Sequence, residues 1–440
     1  MKRLLKNLKD WYYEGWYFGD EESKSRSMHV HHNWLVNVIA NLTGGSFLTG
    51  LLLFIGADDS FLGLVSMFTF GTNILQIFSS LILERFPKRK KLCVVVKAIN
   101  HLINVAFIGV IPLFPIDRQF QLILMGGCIL IVNLLNAFLN PALSIWFLQF
   151  IPQKIRSQYF GLLSMINGVS VAIATMIGSA LVDTFKVQGR EFLGLTILRI
   201  AAIILAVADI TSLTKMKEEE YPKSSETFGI KDILIRPFKE TKYLRMVFIS
   251  FFWNFAANMP GSFFTAYMLQ DLNVSYTFLT LVNLVNIPIL IFVTPLWRRY
   301  ISKRHWFSVI NMGVLGYVIH FFMHSFVTAD TLVLYPISIV LAYSMLSGIN
   351  IFCSNLPYIN IPEHNQTLFI GFFSAMTNLG ALLGVTLSTQ FVIYTQNFTF
   401  SIFRLSFTSR QFLMLIASGA MLCTYVVIRW LQGKNTPTIE

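Results

Sequence analysis

Charge is scarce in this chain. Only 13% of its 440 residues are Asp, Glu, Lys or Arg, against about 25% in soluble domains, which excludes a large soluble protein. Disorder is excluded too, because it requires low hydrophobicity, and 55% of this chain is hydrophobic. Cysteine is limited to Cys93, Cys128, Cys353 and Cys423. All four sit in apolar stretches, so there is neither a disulfide framework nor a zinc-ligand spacing. No G-x-x-x-x-G-K-[ST] loop occurs, which rules out a nucleotide-driven pump. H-E-x-x-H, G-x-S-x-G and paired intramembrane carboxylates are also missing. The chain therefore offers no catalytic constellation, no metal ligands and no call for a cofactor, and it reads as a non-enzyme. The first 33 residues are charged and aromatic and contain no apolar core of a cleavable signal.

What is present is apolar length. A membrane helix needs about 20 mostly apolar residues. Twelve such spans are predicted, at 34–56, 61–83, 92–114, 121–149, 159–182, 192–213, 245–270, 276–296, 306–327, 331–357, 368–393 and 411–430. Net charge is +12, which in a soluble protein would point to nucleic acid; here the basic residues follow the loops. Of 34 Lys and Arg, 27 fall on the side of the termini and even-numbered loops, five fall opposite, and Lys97 and Arg199 lie inside spans. By the positive-inside rule both termini are cytoplasmic, and no nucleic-acid partner is expected. The expected domains are a cytoplasmic segment 1–33, a six-helix bundle 34–213, a linker 214–244, a second bundle 245–430 and a tail 431–440. Within the linker, Ile230–Phe238 is either a short amphipathic surface helix or plain solvated chain.

The two halves repeat. Ile151-Pro152, Gly161 and Ser164 recur 210 residues later as Ile361-Pro362, Gly371 and Ser374, and Asn140 recurs as Asn350. Ser170, Ala174 and Gly178 match Gly380, Gly384 and Ser388, two small-xxx-small faces of the kind that let membrane helices approach closely. Gly45-Ser46-Phe47 matches Gly261-Ser262-Phe263 at an offset of 216, and Asn73 and Arg85 match Asn286 and Arg298 at 213. Both copies start on the same side, so they are parallel repeats. The expected fold is an all-α membrane protein with twelve transmembrane helices in two pseudo-symmetric six-helix bundles.

Polar groups inside spans are costly and therefore informative. Asn37 and Asn41 lie four apart on helix 1. Asn133, Asn136 and Asn140 follow one face of helix 4. Asn254 and Asn258 lie on helix 7 beside Trp253, and Tyr343, Ser347 and Asn350 share a face of helix 10. These amides either line a cavity or hydrogen-bond between helices as glue. Lys97 and Asp209 either pair or snorkel to the interface. Asp183 and Arg199 stand in the outer halves of helices 5 and 6. His101, His320 and His324 read as structural, and His29, His31 and His32 as an interfacial anchor beside Trp34. Pro141, Pro260, Pro288 and Pro357 are expected to interrupt helices 4, 7, 8 and 10.

With these spans, the linker and the repeat, the loop Ser80-Leu81-Ile82-Leu83-Glu84-Arg85-Phe86-Pro87-Lys88-Arg89 stands where the major facilitator superfamily has G-x-L-x-D-R-x-G-R-R. Arg156-Ser157-Gln158-Tyr159-Phe160-Gly161 stands where that family has R-G-x-x-x-G, and Trp297-Arg298-Arg299-Tyr300 is the second-half counterpart of the first loop. After residue 33 the chain resembles that family throughout. The resemblance implies two bundles rocking about a central site lined by helices 1, 4, 7 and 10. It assigns gating to Glu84, Arg85, Arg89, Arg156 and Arg298, and implies a monomer among membrane lipids. Helices 1, 4, 7 and 10 are the ones carrying the polar stripes. They hold no acid in their spans and no central Lys or Arg, which disfavours anions and leaves them without a coupling carboxylate. Asn37, Asn41, Asn136, Asn140, Trp253, Asn254, Asn258, Tyr343, Ser347 and Asn350 are the candidate substrate-binding residues. Amides both donate and accept, so the expected substrate is a small neutral polar solute such as a sugar, glycoside or nucleoside, moved across the cytoplasmic membrane. The alternatives are efflux of drugs or amphiphiles through a cavity lined by some of the 41 Phe, and a transporter-like sensor.

Overall fold

The computed structural model describes residues 21–79, 86, 88–153, 155–218, 235–301, 306–356, 366–396, 398–402 and 405–432. Twelve helical stretches follow the predicted spans. α1 comprises Glu21–Thr43 and Gly45–Ile55, and α2 is Asp59–Leu75 with a 3-10 turn at Gln76–Phe78. α3 begins as Lys90–His101, passes through a π-turn at Leu102–Phe107 and ends at Ile111–Leu113. α4 is Arg118–Leu148, α5 Arg156–Val187 and α6 Glu191–Thr214. α7 runs Thr241–Asn258, Gly261–Ala266 and Tyr267–Asp271; α8 runs Tyr276–Leu284 and Asn286–Ile301. α9 is Trp306–Ser325, α10 Leu334–Asn355, α11 Gln366–Thr395 and α12 Ser409–Gln432. A two-stranded hairpin, β1 (Phe400–Ile402) and β2 (Leu405–Phe407), lies between α11 and α12, with Phe400 opposite Phe407.

Among the described residues ten helices are long and apolar enough to cross a membrane. The other two are α7, divided at Met259–Pro260, and α9, whose apolar run is diluted by Asn311, His320 and His324. Helix starts are capped where the sequence supplies an acceptor. Asp58 accepts from Phe61 N–H at 2.8 Å, Asp117 from Gln119 N–H at 3.0 Å, and Ser275 from Phe278 N–H at 3.1 Å, each satisfying an orphan donor of a first turn.

The chain divides into two compact units: Met1–Ile55 with Phe78–Ser225, and Gly56–Ile77 with Glu226–Glu440. In the first, α1 packs on α5 and α6, α5 on α6, α3 on α4, and α6 on α3. In the second, α7 packs on α11 and α12, α11 on α12, α9 on α10, and α12 on α9. The same pairings six helices apart are what a duplicated unit produces. The units differ from the predicted bundles by one helix, because α2 groups with the second unit. It lies along α11, where Gly63 fits against the side chain of Thr389, and Ser66 Oγ meets Ser262 Oγ of α7 at 2.9 Å.

The small residues sit where helices touch. A Cβ at Gly380 or Gly384 would run into the carbonyl oxygens of Phe251 and Phe255, so α11 and α7 meet backbone to backbone. On α5, Gly178 packs against Leu42 of α1 and Leu198 of α6, whose methyls would lie 3.0 and 3.3 Å from an added Cβ. The second unit's core gathers Tyr243, Met246, Trp253, Tyr317, Phe321, Phe369 and Phe373; the first unit's gathers Val30, Leu139, Trp146, Phe147, Phe150 and Tyr159.

Several expectations need correction. Helix 1 starts at Glu21, not at residue 34, and two acids in its first turn complement the helix dipole. Pro141 leaves α4 continuous, whereas α7 does break at Pro260; α8 breaks at Val285 rather than at Pro288. Pro357 and most of Ile230–Phe238 lie outside the described residues. The last part of that segment, Arg236–Lys239, is a 3-10 turn whose Phe238 packs edge-on against Phe372, ring centroids 5.1 Å apart.

Candidate functional site

Five asparagines of the stripes, Asn37, Asn41, Asn133, Asn254 and Asn258, are tied to their own helices. Nδ2 of Asn37 donates to Asn33 O and Nδ2 of Asn41 to Asn37 O, both at 2.8 Å. On α7, Asn254 donates to Ser250 O at 2.9 Å and Asn258 to Asn254 O at 2.8 Å. Asn133, Asn283 and Asn378 follow the same i−4 pattern at 2.8 to 2.9 Å. A side chain bound this way has a fixed rotamer and one satisfied N–H, and it keeps Oδ1 as an acceptor. Asn283 shows the use of that acceptor: its Oδ1 takes the Tyr343 hydroxyl proton at 2.9 Å.

Interhelical glue is supplied by other amides, on α3. Asn100 Nδ2 donates to Val132 O at 3.1 Å and to Asn136 Oδ1 at 3.2 Å, and Asn104 Nδ2 reaches Thr43 Oγ1 at 3.3 Å. Asn136 is therefore part of the α3–α4 contact. Trp253 is also withdrawn: it is buried in the second unit's core, edge-on to Tyr317 at 4.9 Å. Ser347 is buried and returns its hydroxyl to Tyr343 O and Ser344 O at 3.1 and 3.0 Å. Asn41, Asn140 and Asn350 are exposed, while Asn37, Asn254, Asn258 and Tyr343 are half-buried.

Two of these amides share a local architecture. α1 breaks after Thr43 and resumes at Gly45 with φ +52°; α7 breaks after Asn258 and resumes at Gly261 with φ +45°. These are the glycines matched by the internal repeat, and a positive φ favours glycine because it has no Cβ. Asn41 and Asn258 stand in the last turn before each break. The first helix of either repeat thus presents an amide beside a helix end whose carbonyls lack intrahelical partners.

Of the predicted gating residues, Glu84 and Arg85 lie outside the described residues. Arg89 is buried; its backbone N–H and that of Lys90 donate to Glu218 Oε1, at 2.5 and 2.7 Å. That carboxylate caps α3, so Arg89 joins α3 to the chain leaving α6 inside one unit. Arg156 is half-buried and donates from Nη2 to Ile151 O at 3.4 Å, while Arg298 is exposed.

The least anticipated feature is a buried polar cluster in the first unit. Asp209 of α6 is fully buried, with Oδ1 2.6 Å from His32 Nδ1 of α1 and Oδ2 2.8 Å from His101 Nε2 of α3. Lys97 is buried within electrostatic reach of the same carboxylate. Asp209 thus bonds two histidines rather than pairing with Lys97 alone, and neither charge snorkels. His29 and His32 are core residues, not interfacial anchors. His29 Nδ1 meets the Tyr159 hydroxyl at 2.9 Å, which donates to Arg26 O at 2.8 Å. The signal for them was the spacing Arg26, His29, His32, Leu35, which continues the buried face of α1 upstream of its apolar run. Arg199, also buried, donates to Asn104 O at 2.7 Å and Thr43 O at 3.4 Å. In the second unit His324 Nδ1 lies 2.9 Å from Ser338 Oγ and His320 Nδ1 lies 3.0 Å from Ser338 O, a structural link from α9 to α10. Among the described residues no group of three or more His, Cys, Asp or Glu is arranged to hold a metal ion.

At the end opposite the linker, Arg410 of α12 binds Asp59 of α2 through Nη2 at 2.9 Å and Asp271 of α7 through Nη1 at 3.0 Å. Its Nη2 also donates to Gln270 Oε1 at 3.1 Å.

The Major Facilitator Superfamily model matches residues 34–385. No curated protein matches by sequence. Among solved structures, a mutant of the nucleoside transporter NupG is 16% identical with a TM-score of 0.68, the match covering 94% of this chain and 100% of that one. The D-xylose-proton symporter is 13% identical at a TM-score of 0.66, covering 95% and 100%. A bacterial homologue of the iron transporter ferroportin in an inward-facing state is 12% identical at 0.66, covering 92% and 99%. At these identities the likeness is one of fold. With its membrane-crossing helices and a family match over most of its length, the chain belongs to the Major Facilitator Superfamily of membrane transporters, whose members carry small molecules rather than transform them.

Proposed function

We propose that this transporter moves a small neutral polar solute, of the sugar, glycoside or nucleoside kind, across the cytoplasmic membrane by alternating access. It acts as a monomer with both termini cytoplasmic and without a nucleic-acid partner. The observation that carries the reading is the pair of self-tethered amides, Asn41 and Asn258, each one turn from a glycine break. One N–H of each is satisfied within its own helix, which fixes the side chain, and Oδ1 remains for a ligand's hydroxyl or N–H donors. Asn37 and Asn140 add polar groups in the first unit and Asn254, Tyr343 and Asn350 in the second, and none carries a charge that an ionic solute would need. The NupG and xylose-symporter folds support the same solute class, although peptide and metal transporters share the fold as well. The basic bias of one set of loops supports the orientation.

Thermal unfolding of the purified chain with two ligand panels tests this reading. One panel holds nucleosides, sugars and glycosides; the other holds lipophilic cations and amphiphiles. A ligand that binds only the folded state stabilises it by about 2.7 kcal/mol at 100 times its Kd. The expected result is a rise in melting temperature with one neutral polar solute, abolished by Asn41→Leu or Asn258→Leu. Rises only with the lipophilic panel, indifferent to both substitutions, would replace this reading with efflux of amphiphiles.

A further inference from the structure

Asp209 is a carboxylate away from the amide stripes, fully buried on α6 and hydrogen-bonded to one histidine through each oxygen. The ionisable groups facing it are His32 from α1 and Lys97 and His101 from α3. α5 contributes Tyr159, one step away, bound to His29, whose ring stacks on His32 with centroids 6.3 Å apart. With both imidazoles neutral, Asp209 and Lys97 cancel and the cluster carries no net charge. Each ring then spends its single N–H on the carboxylate and leaves its other nitrogen unprotonated. In His101 that nitrogen is Nδ1, buried and without a hydrogen-bond partner among the described residues, in a residue only 6% exposed. A buried polar atom left unpartnered is costly and calls for an explanation.

The position of His101 connects the cluster to the helix breaks. It is the last residue of regular α3, and the π-turn Leu102–Phe107 begins at the next one; such turns recur at functional sites. Inside that turn Asn104 O accepts from Arg199 Nη1, and Arg199 Nη2 reaches Thr43 O, the final carbonyl before the α1 break at Gly44–Gly45. Asn104 Nδ2 adds a second contact to Thr43 through its hydroxyl. His32 and Asn41 also share the continuous first segment of α1. A change of charge at Asp209 therefore acts on α1 at two points, through His32 directly and through the π-turn and Arg199 at the break.

We propose that His32, Asp209 and His101, with Lys97 beside them, form a proton-binding site that couples a pH difference to the conformation of α1 and so to solute movement. One proton enters on the bare ring nitrogen, His101 Nδ1, the imidazole becomes imidazolium while its Nε2–H stays on Asp209, and the neutral cluster becomes singly positive. This rests on the transporter reading but on no particular solute.

The test needs no solute. The full chain, with its four cysteines replaced by alanine and Asn41→Cys added, is placed in lipid nanodiscs with ring-labelled histidine. Histidine NMR shifts and the maleimide labelling rate at position 41, divided at each pH by the rate for free cysteine so that the thiolate fraction cancels, are followed from pH 5 to pH 8.5. The expected result is one histidine titration and an at least threefold change in labelling rate sharing a midpoint, both flattened by Asp209→Asn. A labelling rate that is flat across pH in the folded protein, or a wild-type pH response surviving in Asp209→Asn, would overturn the proposal. Should Asp209→Asn fail to fold, His101→Gln carries the same two readouts. Failure of the solute panels alone leaves both readouts intact, so the two readings fail separately.

Discussion

At Asn100 and Asn41 the same side chain makes opposite use of its amide. Asn100 is buried and spends Nδ2 on α4, at Val132 and Asn136, whereas Asn41 is exposed and bonds only within α1. Asn100→Ala is expected to lower unfolding stability by about 1 kcal/mol while leaving any ligand-induced melting shift unchanged. Asn41→Leu is expected to do the reverse, keeping the melting temperature of the free protein and losing the shift. Melting curves of both variants with and without ligand separate the two roles. The glycines beside the amides make a second prediction. Nothing lies within 4 Å of an added Cβ at Gly45, so the cost of Gly45→Ala is conformational alone, about 1 to 2 kcal/mol for a left-handed backbone position. An unchanged melting temperature in that variant would remove the break from the account. Residue identity showed which side chains are polar and at what spacing. It could not show that Trp253 turns into the core or that Asn136 is claimed by Asn100, because each depends on the rotation of a helix whose neighbours lie far away in sequence.

Helices were legible wherever a span is uniformly apolar, as in α4, α5, α6 and α12, whose ends fall close to those predicted. α1 was cut short because the buried face of its first three turns is built from Arg26, His29 and His32, which hydropathy reads as solvent-facing. Those residues are buried because Asp209, Tyr159 and the Phe150 carbonyl wait for them on other elements. The small-residue faces were legible as repeats, and the close approach of α11 to α7 gives them their physical reason. Gly384→Leu is expected to push these helices apart and to cost about 3 kcal/mol or prevent folding, with Leu383→Ala, an exposed neighbour, as a harmless control in the same expression and melting assay. The charges at the far end of α12 provide a further test at this scale. Arg410→Gln leaves Asp59 and Asp271 without their cation and is expected to destabilise by about 3 kcal/mol. Adding Asp59→Asn to that variant should recover part of the loss, and a double-mutant cycle with no coupling would show that the ion pairs contribute nothing.

For the whole molecule, duplication explains more than any single motif. The two units repeat the same helix pairings, and their first helices break at equivalent positive-φ glycines. α2 departs from the predicted partition because its neighbours are α11 and the second segment of α7, contacts that no local pattern announces. The buried acid absent from the stripe-bearing helices is found on α6, as Asp209, so the amides proposed to bind solute are uncharged while the first unit retains a titratable core. The central claim is transport of a neutral polar solute on these amides, and solute counterflow into proteoliposomes measures it most directly. Vesicles preloaded with uridine, D-xylose or a lipophilic cation are diluted into a labelled trace of the same compound. The account predicts exchange of a neutral solute, cut about tenfold or more by Asn41→Leu and by Asn258→Leu, equivalent to losing about 1.4 kcal/mol or more of interaction. Exchange of the cation alone, untouched by either substitution, would contradict it.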